Sequence, residues 1–441
     1  MTAEALEAQW ERAIAFIFEE LTGTEIATIC LQAETSDFTR FNRGAVRQTG
    51  CVQDATLTLT LVWEGREAAI AFPLGDEPSL WRQQLATLRQ DVRAMPANPY
   101  TPTQLTAPQT SREVLTGDLL PGDEAIAAVL APAQGLDFVG LYAAGPIYRA
   151  CATSAGHRHW FCASSAVVDY SLVDADGRAV KGVWGGRSWD DKSYRQQLAG
   201  DRQRLATLAL PLRAVPRGEY RVYLAPAAVA EVVDLWRSAP GEGDLQQGQS
   251  PLRALALGER VLSSQLHLGE DFRQGGVPRF NEWGEVSPPW LPIVAAGQLV
   301  NTLVSERSAR EYGKPGNGAT SGEYLRAPAI APGDLPPAEV LTRLETGLYL
   351  SNLHYLNWSD VPTGRITGMT RFACFWVEDG ALVAPIERLR FDDSFYRFWG
   401  EDLEAVGSEA VFVPNTDTYE RRSPGGMAVP GMLLRRFAFT L

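Results

Sequence analysis

The sequence predicts an α+β protein in two parts, and three observations predict it. Apolar residues recur at helical spacing over 4–22 (Leu6, Trp10, Ile14, Ile17, Phe18, Leu21). Thr and Leu alternate from Thr56 to Leu61. From Gly347 onward, short apolar runs are punctuated by Gly, Pro and Asp. The first part is therefore expected to mix helices with an antiparallel sheet, and the second to be β-dominated and barrel- or sandwich-like. A chain of 441 residues exceeds what one core usually serves. The division is placed near Pro226, giving parts 1–225 and 226–441.

Taken in order, the opening helix ends at Gly23. SDFTRFNRGAVRQTG, 36–50, is extended with a turn at Asn42-Arg43-Gly44, and Glu64-Gly65 folds the alternating run back into AAIAF as a hairpin with one buried face. WRQQLATLRQDVRAM reads as a helix and NPYTPTQLTAPQTS, 98–111, as an irregular crossing loop. PGDEAIAAVLAPA begins a helix with acids in its first turn, where they complement the macrodipole. After Gly135 the pattern is that of antiparallel strands. A helix follows in SYRQQLAGDRQRLATLAL, then a short strand, EYRVYLAP. Past Pro226, AAVAEVVDLWRSA is a helix, 251–272 holds at least one strand, and 291–313 mixes strand and helix.

Composition narrows the partners. The net charge is −13 and no Lys/Arg block forms a phosphate-tracking stripe, which argues against nucleic acid or an anionic membrane as a principal partner. The N-terminal stretch lacks the basic n-region and unbroken apolar run of a signal peptide, and no segment reaches the length of a membrane span. Five scattered cysteines (Cys30, Cys51, Cys151, Cys162, Cys374), never in a CxxC pair, fit reduced thiols. A cytoplasmic location is expected.

Motifs for chemistry are sparse. There is no GxSxG elbow, and Ser154 in ATSAG lacks the leading glycine. The Gly-rich run 316–322 has no following Lys and reads as a surface loop. None of the four histidines is followed by Glu. His157 and His159, in GHRHW, share a strand face and form a weak alternative metal pair, with a carboxylate such as Asp169 as third ligand. His267 and His354 read as structural. Glu270-Asp271 and Asp392-Asp393 point to opposite faces of a strand and are expected at a turn or solvated edge. Cys374, within FACFWV, reads as inert packing in an apolar strand. Trp184, Trp189 and Trp358 are candidate exposed anchors for a partner.

Residues 347–386, GLYLSNLHYLNWSDVPTGRITGMTRFACFWVEDGALVAPI, resemble the signature region of the TldD/PmbA family, whose members are often labelled modulators of DNA gyrase. SDFTRFNRGAVRQTG, ATSAG, RFNEWGEV at 279–286 and the closing GMAVPGMLLRRFAF are similar to further family segments in the same order. The resemblance implies a fold of the TldD/PmbA type. In TldD-type subunits an HExxxH helix and a Cys near the C-terminus hold the metal. The corresponding helix here, 227–244, contains no histidine, and no cysteine follows Gly400. The resemblance is therefore to PmbA, the metal-free partner. It implies no cofactor, no catalytic residue and no activity alone, with an HExxxH-bearing paralogue completing a peptidase for unfolded or small peptides. A self-associating peptide-binding accessory protein is the alternative. Peptide-facing candidates are Asn357, Ser359, Thr363, Gly364, Thr367 and Gly368, with Arg40 and Asn42 from the N-terminal segment; the Thr and Gly residues would let an extended peptide approach by strand addition. Direct action on gyrase is disfavoured by the acidic balance.

Overall fold

The computed structural model describes residues 2–102 and 106–440, so part of the 98–111 segment lies outside the described residues. The N-terminal half is a seven-stranded sheet built from β1 (Ile26–Asn42), β2 (Ala45–Trp63), β3 (Arg66–Pro73), β4 (Thr110–Leu115), β5 (Asp137–Thr153), β6 (Arg158–Val173) and β7 (Ala179–Gly186). Its order is β3-β2-β1-β5-β6-β4, with β7 also on β6; all pairs are antiparallel except β4 with β6. The end of the 98–111 segment is thus the start of a parallel edge strand. Both expected turns form with left-handed residues, Arg43-Gly44 and Glu64-Gly65, the pairing that a two-residue hairpin requires.

Side chains alternate between faces of a strand, and this sheet uses its faces differently. One face carries Ala27, Ile29, Leu31 and Ala33 of β1, Leu57, Leu59 and Leu61 of β2, and Tyr148, Ala150 and Ala152 of β5. It is covered by α1 (Ala3–Glu19) and α2 (Pro78–Ala94), through Leu6, Trp10, Ile14, Trp81, Leu85 and Leu88. Further along the same face, α3 (Gly122–Leu130) and α4 (Asp191–Leu208) cover Phe138, Tyr142, Val168 and Tyr170. Trp184 belongs to this second cluster, 5 % exposed and 4.6 Å from the half-buried Trp189, so it is packing and not an exposed anchor.

The other face receives the C-terminal half. That half contains β8 (Gly218–Leu224), α5 (Pro226–Leu235), β9 (Leu268–Asp271), β10 (Trp290–Ala295), β11 (Gln298–Leu299), β12 (Pro328–Ile330), β13 (Gly347–Leu350), β14 (Asn352–Asp360) and β15 (Arg365–Arg371). After these come β16 (Phe375–Glu378), β17 (Ala381–Pro385), β18 (Arg390–Ser394), β19 (Leu403–Val406), β20 (Val411–Pro414), β21 (Gly426–Val429) and β22 (Met432–Phe439). One sheet runs β11-β10-β9-β12-β21-β20, and the other β14-β15-β18-β22-β8-β13-β16-β17, with β19 on β22. The half is β-dominated, as expected, and α+β holds for the whole chain. Neither sheet closes into a barrel among the described residues. β8 pairs with β13 and β22, so its hydrogen bonds belong to the C-terminal sheet although a division at Pro226 leaves it with the N-terminal residues. No described helix is long and apolar enough to cross a membrane.

Several local expectations change. Glu270 and Asp271 are not at a solvated edge. Both are buried on the central strand β9, where Glu270 accepts the Arg326 backbone N–H at 2.6 Å and Asp271 pairs with Arg273 at 2.7 Å. Asp393 is likewise buried and paired with Arg397, which leaves only Asp392 in the half-exposed role. The Gly-rich run is only partly a surface loop: Gly318 and Ala319 are buried, and the Ser287 hydroxyl donates to the Gly318 carbonyl at 3.0 Å. Cys374 lies in the bend before β16, buried, its thiol held up by desolvation.

Candidate functional site

The two halves leave a cleft of about 330 Å³ lined by Lys181 and Val183 of β7, the exposed side of α5, Arg237, Asn352, Phe372 and the segment 413–417. Its floor follows from the periodicity of α5. Pro226 sits at the first helical position, where its missing N–H costs nothing. Ala228, Val229, Val232 and Val233 point into the core, which turns Ala227, Glu231 and Asp234 to the cleft. Ala230, small and nearly buried, lets the walls come close.

Of the charged residues here, Lys181, Asp234 and Arg237 are paired, and Glu231 and Asp417 form no ion pair among the described residues. Lys181 pairs with Asp169, and Arg237 with Asp234 at 2.6 Å. The Glu231 carboxylate has no hydrogen bond to another described residue and is open to water on the cleft side. The surrounding walls still desolvate its carboxylate and, with the negative charge of Asp234, raise its pKa to about 7 against the pull of Lys181. At neutral pH Glu231 is therefore divided between acid and carboxylate, able to donate or accept a proton. Phe372, at φ 61°, is held in the left-handed region and shared with a second cavity of about 350 Å³ that continues past Arg371 and Arg388. On the other side Pro414 and Asn415 are shared with a third cavity, of about 180 Å³. The three cavities thus adjoin through shared walls, Phe372 on one side and Pro414 and Asn415 on the other.

The histidine pair does share a face, but it is buried. His157 and His159 stack at 6.0 Å beneath the segment 280–286. His159 donates from Nε2 to the Gly284 carbonyl at 2.9 Å and accepts from Ser111 at 2.8 Å. His157 is held by the Gln109 N–H at 3.2 Å and the Thr106 carbonyl at 3.1 Å. Every ring nitrogen is used, and Asp169 is engaged with Lys181 on a distant part of β6. Desolvation, foremost, lowers the His159 pKa to about 4. His267 accepts from the Ala296 N–H at 3.3 Å, and His354 packs on Tyr355.

The structure brings together the candidates on the β14–β15 hairpin and leaves Arg40 and Asn42 apart, exposed at the tip of β1, whose partners are β2 and β5. Asn357 accepts from the Trp358 N–H, Ser359 donates to Asp392 at 3.2 Å, and Thr367 to the Phe391 carbonyl at 3.1 Å. Thr363 donates to Asp360 at 2.5 Å and lines a separate cavity of about 750 Å³ with Arg260, Arg365 and Arg397. The glycines serve internal packing: a Cβ on Gly364 would meet the Phe395 ring at 2.4 Å, and one on Gly368 the Phe391 ring at 2.6 Å. β15 is paired on both sides, so the open edge is that of β14, broken by bulges and by Tyr355 at φ 53°. Glu231, Asp234, Lys181 and Phe372 were not singled out in the sequence. The signal was present for the first two, as acids three apart on the polar stripe of a helix with an otherwise buried face.

Residues 217–441 match the family model described as the PmbA/TldA metallopeptidase C-terminal domain. The match covers just over half of the chain, and the chain belongs to the TldD/PmbA family. Three solved structures share the fold over nearly the full length. A candidate modulator of DNA gyrase from Bacteroides thetaiotaomicron superposes with a TM-score of 0.80 at 16% identity, covering 100% of both chains. TldE from Thermococcus kodakarensis gives 0.80 at 14% identity, over 98% of this chain and 100% of that one. A candidate modulator of a DNA gyrase from Thermotoga maritima gives 0.77 at 13% identity, over 99% and 100%. No curated protein matches the chain in sequence.

Proposed function

We propose that this chain is a metal-free, peptide-holding subunit of a TldD/PmbA-type metallopeptidase complex, acting in the cytoplasm on unfolded or small peptides while a paralogous chain supplies the metal. The observation that carries the reading is α5, which presents Glu231 and Asp234 to the cleft and has no histidine. The donor set does not fit a catalytic zinc, which draws on imidazole or thiolate as well as carboxylate. Among the described residues no group of three or more His, Cys, Asp or Glu is placed to hold a metal ion. The family membership and the adjoining cavities that share Phe372, Pro414 and Asn415 support a peptide as the occupant. The chain's own contribution is to hold and orient the peptide between β7, α5 and the 413–417 segment.

The test is co-expression with an HExxxH-bearing relative from the same organism, followed by size-exclusion chromatography with light scattering and a peptide hydrolysis assay with and without chelator. A mixed complex that cleaves, is stopped by chelator and far outpaces either chain alone is the expected result. Homo-oligomers that bind peptide but ignore the relative would favour a self-associating accessory protein. Chelator-sensitive cleavage by this chain alone would overturn the reading.

A further inference from the structure

We propose that Cys30 and Cys151 form a peroxide-sensitive dithiol that closes to a cross-strand disulfide and so loosens the segment 280–286 from the N-terminal sheet. The inference does not depend on what the cleft holds. Cys30 lies on β1 and Cys151 on β5, directly opposite each other in the antiparallel register. Both side chains leave the sheet on its polar face, since their neighbours Ile29, Leu31, Ala150 and Ala152 belong to the helix-covered one. Opposed residues of an antiparallel pair stand about 4.5 or 5.5 Å apart at Cα. A disulfide spans about 4.4–6.8 Å between Cα atoms, so either spacing admits the bond without moving the strands.

The two sulfurs also converge on one atom. Cys30 Sγ stands 3.6 Å and Cys151 Sγ 3.5 Å from the Glu282 carbonyl oxygen, and each thiol donates to it. No other described donor reaches that oxygen. The remaining cysteines have no such neighbour. Cys51 faces Asp37 and Cys162 faces Tyr148 across their strands, and Cys374 lies in the C-terminal half. Of the five free thiols, only Cys30 and Cys151 are therefore placed to join within one chain.

Cys30 is half-buried and Cys151 fully buried, so a small oxidant meets Cys30 first. The Cys151 thiol is pushed well above its ordinary range, foremost by its hydrogen bond with Cys30 and then by desolvation, and stays protonated at neutral pH. Cys30 is accordingly the group attacked and Cys151 the one that resolves. The Cys30 thiolate takes an oxygen from hydrogen peroxide, the O–O bond breaks, and the sulfur becomes a sulfenic acid as the departing hydroxide picks up a proton. The Cys151 sulfur then attacks Cys30, the S–O bond breaks, and hydroxide leaves as water with the Cys151 proton. Two thiols and one peroxide become one disulfide and two waters. A disulfide carries no S–H, so the Glu282 carbonyl loses both donors, and an acceptor left unmet weakens the dock. The His159 bond to the Gly284 carbonyl remains as a hold on this segment.

Hydrogen peroxide titration of the reduced full chain, followed by alkylation, intact mass spectrometry and peptide mapping, tests the site. The expected product is two hydrogens lighter, has two fewer alkylatable thiols, links the Cys30 and Cys151 peptides, and reverts with dithiothreitol. Cys30→Ser, a conservative change at the less buried partner, should abolish that product, whereas Cys51→Ser should leave it. In hydrogen exchange the oxidised parent is expected to open at 280–286 at least about tenfold faster than the reduced one, with α1 and α2 as protected as before. No Cys30–Cys151 link at peroxide levels that oxidise the exposed Cys51, or a link that joins other cysteines, overturns the site. A Cys30–Cys151 disulfide that leaves exchange at 280–286 unchanged overturns its control of the dock.

Discussion

The two faces of the N-terminal sheet are both buried, but by opposite chemistry. The helix-covered face is a continuous apolar surface in which Leu57, Leu59 and Leu61 meet Trp10, Ile14 and Leu88. The opposite face holds polar groups that seek backbone carbonyls of the C-terminal half. His159 reaches Gly284, Cys30 and Cys151 both donate to the Glu282 carbonyl at 3.6 and 3.5 Å, and Arg421 and Arg422 come back the other way into β1 and β6. Burial of the first kind is non-directional and scales with area. Burial of the second kind depends on each donor finding its acceptor, because an unmet buried polar group is costly. The apolar face should therefore set most of the stability, and the polar face should make that stability depend on pH and fix how the halves dock.

The largest effect belongs to the apolar face. Trp10→Ala removes an indole that is 1 % exposed and tilted against Trp160 at 5.8 Å. It is expected to cost roughly 3–5 kcal/mol in chemical denaturation, by the same amount at pH 7 and pH 5. A loss that varied with pH would mean that the two faces are not energetically separable in this way.

The polar face is expected to respond next, and through pH. His159 has a pKa near 4 in the fold against an ordinary 6.5, so it is neutral in the folded state and takes up a proton more readily when unfolded. Its contribution is present above pH 6.5 and is lost as pH falls from 6.5 through 4, a span worth roughly 3 kcal/mol. His157, also shifted down by burial, acts in the same direction. His159→Gln keeps a donor and an acceptor but does not titrate, and its denaturation midpoint should fall much less between pH 7 and pH 4.5 than that of the parent. Equal losses in the two proteins would place the acid sensitivity elsewhere.

Gly284 tests the docking itself. At φ 79° it packs directly on His157, and a Cβ there would stand 2.7 Å from the His157 Cβ. Gly284→Ala is expected to cost about 1–3 kcal/mol and to raise protease sensitivity at 280–286, leaving the helix-covered face protected in hydrogen exchange. Uniform loss of protection would show that the halves unfold as one unit.

The same contrast explains what the sequence made legible. The period of 3.6 in 4–22 and of 2 in 56–61 is local, and each marks an element whose buried face the structure retains. The polar face offers no such period. His157 and His159 look like a chelating pair because their partners, the Gly284 carbonyl and Ser111, lie 125 and 48 positions away and are, for Gly284, backbone. Glu270-Asp271 looks like a solvated edge for the same reason, since the groups that satisfy Glu270 are the N–H groups of Arg326 and Ala327. Trp184 carries no mark that distinguishes an anchor from a core residue; α3 and α4 decide it. In the 357–380 stretch the glycines signal close approach correctly, but whether of a peptide or of Phe391 and Phe395 depends on strands read only in three dimensions.

Between the two chemistries lies the cleft, and Glu231 is where its character can be measured with the smallest disturbance. Its carboxyl stands near 7 where an ordinary Glu has 4.5. A raised carboxyl favours folding below pH 4.5 and gives that advantage up as pH rises through 7, so Glu231→Gln should leave stability unchanged in acid and raise it slightly above neutrality. Because the side chain is open to water, the gain should stay below about 1 kcal/mol. The sharper readout is nuclear magnetic resonance titration with carbon-13 in the Glu side chains, where one carboxyl titrating near 7 should vanish in the variant. If that resonance is absent in the parent, the walls do not desolvate Glu231, and the cleft is electrostatically no different from the outer surface. If it is present and moves down when a peptide bearing an ammonium group is added, the acidic wall is in contact with the peptide. The polar chemistry that docks the two halves would then extend to what is held between them.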